Sequence, residues 1–215
     1  MFILDQTNSI ANTFIAELRD VDIQNDRLKF RNNLQRLGEI LAYEISKSFD
    51  FFDTEIQTPL GVKSTKLIID QPILISVLRA ALPFYQGFLN FFDKADSGFV
   101  GAYRKENFGM KEVEIEYLYQ ALPEIEGKIL ILIDPMLASG NSFVKTINNI
   151  LKKGNPKMIH IVSVIAAPEG VNLINGSLNI PFKLWTCSLD ERLDDRAYIN
   201  PGLGDAGDLC FGDKI

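Results

Sequence analysis

Histidine and tryptophan each occur once in this chain, cysteine twice, and basic residues are outnumbered by acidic ones. Each shortage excludes something. With 22 Lys and Arg against 28 Asp and Glu, and a formal net charge of -6, the chain has no broad electrostatic footprint for DNA or RNA. The cysteines, Cys187 and Cys210, lack metal-ligand spacing, and so few thiols fit a reducing compartment. The sole histidine, His160, lies within Ile159-His160-Ile161-Val162, where alternation makes it a structural strand residue. No Ser/His/Asp or Cys/His constellation is visible, so covalent catalysis is not indicated. No apolar run approaches the roughly 18 to 20 residues of a membrane span. Met1 to Thr13 lacks a basic start and is broken early by Asp5, so it does not read as a secretory signal. The expectation is a soluble, cytoplasmic protein that binds neither nucleic acid nor membrane. No repeat, low-complexity tract or linker divides it, so residues 1–215 are expected to form a single domain.

What the chain does have is apolar residues, 47% of the total, enough for a substantial core. Ile10 to Arg19 and Arg27 to Ser48 are predicted helices; in the second, Leu34, Leu37, Ile40, Leu41 and Ile45 recur at spacings of three and four. Glu55 to Asp70, around Pro59-Leu60-Gly61-Val62, reads as strand, turn and strand. Beyond it the pattern alternates. Short apolar strands are predicted at Pro72 to Leu78, Phe99 to Tyr103, Val113 to Tyr119, Lys128 to Asp134, Ile159 to Ala166 and Phe182 to Ser188. Helices are predicted at Ala80 to Phe92, Ser142 to Lys153 and Pro168 to Asn175. This order implies an α/β fold with a mostly parallel central sheet flanked by helices, plus N-terminal helices and a small β extension. Ligands then belong outside the carboxyl ends of the strands.

The unusual residues cluster at those ends. Asp134-Pro135-Met136-Leu137-Ala138-Ser139-Gly140-Asn141-Ser142 follows the clearest central strand and opens a helix. Such a turn can offer amide N–H groups, two hydroxyls and a helix dipole to a phosphate. On spacing alone it serves equally well as an ordinary strand-to-helix turn capped by Asp134. It has neither the Walker signature nor the dinucleotide glycine spacing. Arg79 and Arg104 stand at the tips of two other strands, where a pair of guanidinium groups can grip an anion. Near the end, Tyr198 to Asp208 contains Pro201-Gly202-Leu203-Gly204-Asp205-Ala206-Gly207-Asp208. Its glycines and proline are expected to exclude regular secondary structure and let backbone approach a flat ligand.

Together these segments resemble the uracil phosphoribosyltransferases, a branch of the type I phosphoribosyltransferase family. The Asp-Pro-Met-Leu-Ala-Ser-Gly turn is similar to that branch's motif for 5-phosphoribosyl diphosphate (PRPP). The Pro-Gly-Leu-Gly-Asp-Ala-Gly-Asp tail is similar residue for residue to its uracil signature. Leu78-Arg79-Ala80-Ala81 and Ala102-Tyr103-Arg104 resemble its pyrophosphate segments. The resemblance implies transfer of the phosphoribosyl group from PRPP to N1 of uracil, giving UMP and pyrophosphate. PRPP would be bound by Arg79, Arg104, Asp134 to Ser142 and Asp205, and uracil by Ile199, Gly204, Asp205 and Ala206, the first, second and last of these through the main chain. Arg79, Arg104 and Asp205 would be catalytic. Mg²⁺ would be held mainly by PRPP, with help from Asp205. A dimer or larger homo-oligomer and a GTP effector are further implications, as is a mobile flap over Asn107 to Tyr117.

Uracil presents two carbonyl acceptors and an N3–H donor, which main-chain groups on a rigid loop can match; Ile199 can cover a ring face. Three departures from the family pattern stand out: Ala81 and Asn141 replace glycine and Ala102 replaces methionine. A β-carbon at Ala81 is expected to crowd a backbone meant to touch phosphate; at position 141, Asn is the least costly replacement for Gly wherever the backbone needs a positive φ. The charge-rich run Asp190 to Arg196 is expected to be solvated surface or a subunit contact. The alternatives are a catalytically weak PRPP- or UMP-sensing regulator on the same fold, or an enzyme for another base such as hypoxanthine or orotate. The enzymatic reading requires the tail near Gly204 and the turn after Asp134 to share one end of the molecule.

Overall fold

A computed structural model of the chain describes residues 1–105 and 114–213, with side chains described for 1–101 and 119–213. Phe2–Ile3 (β1) leads through a 3-10 turn into two helices, Ala11–Arg19 (α1) and Arg27–Ser46 (α2). Asp26 starts α2 by accepting from the N–H groups of Leu28 and Lys29, each at 3.0 Å, satisfying donors that a helix start leaves orphaned. The apolar stripe Phe30, Leu34, Leu37, Leu41 and Ile45 is buried, as its spacing predicts. Next come Phe51–Thr58 (β2) and Gly61–Ile68 (β3), an antiparallel ribbon in which the first strand begins earlier than its composition suggests.

The alternating part follows: Ile73–Leu78 (β4), Leu82–Phe91 (α3), Ser97–Lys105 (β5), Glu114–Ala121 (β6), Ile129–Ile133 (β7), Met136–Leu137 (β8), Asn141–Leu151 (α4), Met158–Ala166 (β9), Pro168–Ser177 (α5) and Phe182–Leu189 (β10). The chain closes with Arg192–Leu193 (β11), Ile199–Asn200 (β12) and Ala206–Phe211 (α6). Among the described residues, eight strands form one sheet in the order β1-β10-β9-β7-β4-β5-β6, with β8 paired to β9. Neighbours run parallel throughout, except β5 with β6. The predicted fold class holds.

Alternation along the central strands divides the core between two faces. Ile129, Ile131 and Ile133 of β7 join Leu34, Leu37, Phe84 and Phe88 from α2 and α3. Leu130 and Leu132 point the other way, to Phe143, Ile147 and Ile174 from α4 and α5. Helices α2 and α3 meet at backbone distance: a β-carbon on Gly87 would stand 2.1 Å from the Gln35 carbonyl oxygen. After β4 the chain adds β5 on one side, whereas β7, β9 and β10 extend the sheet on the other. The switch point therefore falls between β4 and β7, and a crevice is expected outside their carboxyl ends. Among the described residues no helix is long and apolar enough to cross a membrane.

Several expectations need correction. The glycine-rich tail is not devoid of regular structure, since β12 lies within it and α6 begins at Ala206. Asp205 makes that helix start possible, accepting from the N–H groups of Gly207 at 2.8 Å and Asp208 at 3.1 Å. Met136 and Leu137 are not merely loop; they pair with Ile165 and Ala166. The run from Asp190 to Arg196 is not all solvated, because Asp190 is buried. His160, by contrast, is the structural residue its pattern suggests: it is buried on β9 and accepts from the Trp185 indole at 2.9 Å.

Candidate active site

Three chain segments meet at the carboxyl end of the sheet. The first is the turn after β4, which presents Arg79. One guanidinium nitrogen lies 3.4 Å from an Asp208 oxygen and 3.4 Å from the Gly212 carbonyl. Both contacts are long and the side chain is 43% exposed, so the guanidinium keeps donors for an incoming anion. The Leu78–Arg79 peptide is cis. Ala81, the residue after next, is fully buried in the core, with φ -71 and ψ -18. Its β-carbon does not face the crevice, contrary to the expected crowding.

The second segment is Asp134 to Ser142. The Asp134 carboxylate accepts from the Met136 N–H at 3.1 Å, at the entry to β8 rather than at the start of α4, whose N-cap is Gly140. Pro135, Leu137 and Ala138 are buried and Met136 is half-buried, because β8 ties this part of the turn to β9. The chain surfaces only beyond them: Ser139 and Ser142 are half-buried and Asn141 is exposed. Gly140 carries the positive φ, +81, and stands at the N-cap of α4 without a side-chain cap. A helix start of this kind directs amide donors at a phosphate. Asn141 is already helical, so the left-handed residue is its neighbour. Its side-chain amide donates to the Ser139 hydroxyl at 3.2 Å.

The third segment is the tail. Asn200–Pro201 is cis, and Gly202 and Gly204 have φ values of +63 and +92. Gly204 is exposed, while Leu203 and Ala206 are buried on either side of the Gly204–Asp205 step. This apolar bracketing presents the main chain of the step outward. The Ile199 side chain is buried in the core, so it is not the exposed ring cover the sequence suggested.

A chain of contacts joins the segments. A β-carbon on Gly140 would stand 2.9 Å from the Gly170 carbonyl oxygen. The adjacent Glu169 accepts from the Leu193 N–H at 2.9 Å, which lowers its carboxyl below the ordinary value. Leu193 pairs in turn with Ile199. On the other flank, a β-carbon on Gly207 would lie 4.0 Å from an Arg79 nitrogen. The turn after Asp134 and the tail near Gly204 thus share one end of the sheet. Of the predicted site residues, only Arg104 has a side chain outside the described residues; its backbone lies near the end of β5, paired with Ile115 of β6. Of the suggested flap, 107–113 lie outside the described residues, and the remainder belongs to the start of β6.

A groove of about 1010 Å³ runs between the tail and the α1–α2 connection, walled by Gln24, Arg27, Leu203, Gly204, Asp205 and Asp208 among others. It borders the tail but not the turn after Asp134. Sequence reasoning also missed Arg19 and Asp190, whose paired side chains hold Gly202. One signal was available: Asp190 follows an apolar strand directly, just as Asp134 does.

The family model for uracil phosphoribosyltransferase matches residues 6–213. The chain belongs to the uracil phosphoribosyltransferase family. Over 213 residues it is 46% identical to the uracil phosphoribosyltransferase of Porphyromonas gingivalis, covering 99% of this chain and 98% of that one. The enzyme of the same name from Sulfurisphaera tokodaii is 42% identical over 207 residues, covering 93% and 94%. The solved structure of AQ2163 protein from Aquifex aeolicus superposes with a TM-score of 0.87 at 32% identity, over 100% of both chains. Ala81 is absorbed by the core, and Asn141 directly follows the left-handed Gly140.

Proposed function

We propose that this chain transfers the 5-phosphoribosyl group of PRPP to N1 of uracil, giving UMP and pyrophosphate. The observation that carries the reading is the meeting of Arg79, the Gly140 turn and the Gly204 tail at the switch point of the sheet. In the reaction the bond from C1 of ribose to pyrophosphate breaks and its electron pair leaves with the pyrophosphate. N1 of uracil forms the new bond and gives up its proton. Positive charge grows on the ribose and negative charge on the leaving group, so the residues must orient one and neutralise the other.

Arg79 and Arg104 bind the pyrophosphate. Ala138 to Ser142 receive the 5′-phosphate on the amides and hydroxyls at the start of α4, supported by β8 beneath them. Asp134 faces the ribose hydroxyls. The main chain of Ile199, Gly204 and Ala206 reads the polar edge of uracil. Cytosine swaps an acceptor for a donor and loses the N3 proton, leaving buried groups unpaired, a discrimination of order ~10⁴. Mg²⁺, when bound, offsets pyrophosphate charge. Among the described residues no group of three or more His, Cys, Asp or Glu side chains could hold a metal alone. Asp205 and Asp208 beside Arg79 suit an ion that takes one or two carboxylates and otherwise water and substrate phosphates.

The chain is further read as a single cytoplasmic domain that works as a homo-oligomer. In support of self-association, the β2–β3 ribbon exposes Phe51, Phe52, Ile56, Leu60, Val62 and Leu67. A lone two-stranded ribbon is marginal in water. Mixing the protein with PRPP, Mg²⁺ and each base in turn tests the central claim: UMP from uracil alone is expected, and nucleotide from another base, or from none, would overturn it. Arg104→Ala is expected to abolish most turnover, and near-normal activity would remove Arg104 from the site.

A further inference from the structure

Gly202, two residues before Gly204, is held by both of its main-chain polar groups. Its N–H donates to one Asp190 carboxylate oxygen at 2.7 Å, and its carbonyl accepts from Arg19 at 2.8 Å. The two side chains are themselves joined as a fork: one Arg19 nitrogen donates to Asp190 at 2.8 Å and the other at 2.5 Å. That second nitrogen also donates to the Ser188 hydroxyl at 3.0 Å. The Asp190 carboxylate is 3% exposed and the Arg19 side chain 22%. The Asp190 N–H is anchored to the Ala166 carbonyl at 2.8 Å, on the strand whose Ile165 and Ala166 also hold β8 under the Asp134 turn.

We infer that Arg19 and Asp190 are positioning residues that fix the uracil-reading tail against the sheet and so set the enzyme's affinity and selectivity for the base. The inference rests on the reading of that tail as the uracil site. Burying an ion pair is a poor way to gain stability, because desolvation cancels much of the attraction. What the pair supplies is direction. A glycine-rich loop reads a base edge only if its amides point one way, and here two charged partners immobilise the peptide groups on both sides of Gly202. Substitution at Gly202 itself is barred, since a β-carbon would stand 2.1 Å from the Ile199 carbonyl oxygen. Lysine cannot replace Arg19, because a single ammonium cannot span Asp190, Gly202 and Ser188 from two planar nitrogens.

Steady-state kinetics and hydrogen exchange on the whole protein test this with Arg19→Lys, Asp190→Asn and the milder Ser188→Ala. For Arg19→Lys and Asp190→Asn the KM for uracil is expected to rise on the order of 10- to 100-fold, while the KM for PRPP stays within about two-fold. Cytosine discrimination should fall, and amides of residues 200–205 should exchange faster while those of 134–142 do not. Ser188→Ala, which removes one contact, should show the same pattern in smaller measure if the charged variants fail to fold. An equal rise in both KM values, or unchanged exchange at 200–205 with an unchanged KM for uracil, would overturn the inference. The exchange arm needs no turnover. If the wild-type protein made no UMP, the functional reading would fall while the exchange rates still judged the clamp.

Discussion

Gly140 and Gly170 stand so close that neither can carry a side chain: a β-carbon on the first would lie 2.9 Å from the Gly170 carbonyl oxygen, and one on the second 2.3 Å from that of Ala138. The contact presses the start of α5 against the turn that opens α4. It also holds Gly140 in its left-handed conformation, which an L-residue adopts only at a cost of about 1–2 kcal/mol.

Gly140→Ala should therefore push the turn off α5 and spoil the amide cradle while sparing the distant core. PRPP affinity, measured by calorimetric titration, is expected to fall on the order of 100-fold. Affinity equal to wild type would mean that the 5′-phosphate is not held by this turn.

Arg79 meets Asp208 and Gly212 only at 3.4 Å, so its removal should cost little stability. Arg79→Ala is expected to lower kcat/KM by about 10²- to 10³-fold with little change in melting temperature, and Arg79→Lys to recover only part of it. A loss of stability that matched the loss of activity would make Arg79 a structural residue.

Burial depresses the His160 imidazole from 6.5 to about 4. Its unprotonated nitrogen accepts from Trp185 at 2.9 Å, a bond that a proton there would abolish. Below about pH 6.5 the unfolded chain takes up a proton that the folded chain refuses until about pH 4. Stability is thus full above the unfolded value and is lost as pH falls through this window, by about 2 kcal/mol at roughly pH 5. Denaturant unfolding at about pH 7.5 and about pH 5 should show that this difference shrinks in His160→Gln, whose side-chain carbonyl can still accept from Trp185. An unchanged difference would exclude His160 as its source.

Both thiols are buried, and burial raises the Cys210 thiol to about 12 and the Cys187 thiol well above its usual value. A disulfide-exchange reagent needs thiolate and access. Neither cysteine is expected to react in the native protein at mildly alkaline pH, and both should react at once in denaturant. Prompt labelling of the native form would contradict this packing.

The chain's α/β character and its central strands were readable directly, because a strand buried on both faces must be continuously apolar. Ile129 to Ile133 declares itself without any partner in view. The helix stripe from Phe30 to Ile45 is legible for the same local reason. The turn after Asp134 and the tail near Gly204 stand out by their residue order, although spacing alone left the turn indistinguishable from an ordinary helix start. Two-residue strands such as Phe2–Ile3 and Met136–Leu137 escaped notice, since so short a run has no periodicity and gains strand geometry only from β10 and β9 beside it.

Local order of residues was thus enough for the strands and the helices, since each depends on neighbours within a few positions. Long-range contact settled the rest. Asp190 reads as one charge in an exposed run, yet it is buried because Arg19, 171 residues away, reaches it. Ala81 reads as an obstruction, yet its side chain enters the core. Whether a charge is solvated or a methyl group intrudes depends on what other parts of the chain bring to that point in space, and one-dimensional spacing carries no record of it.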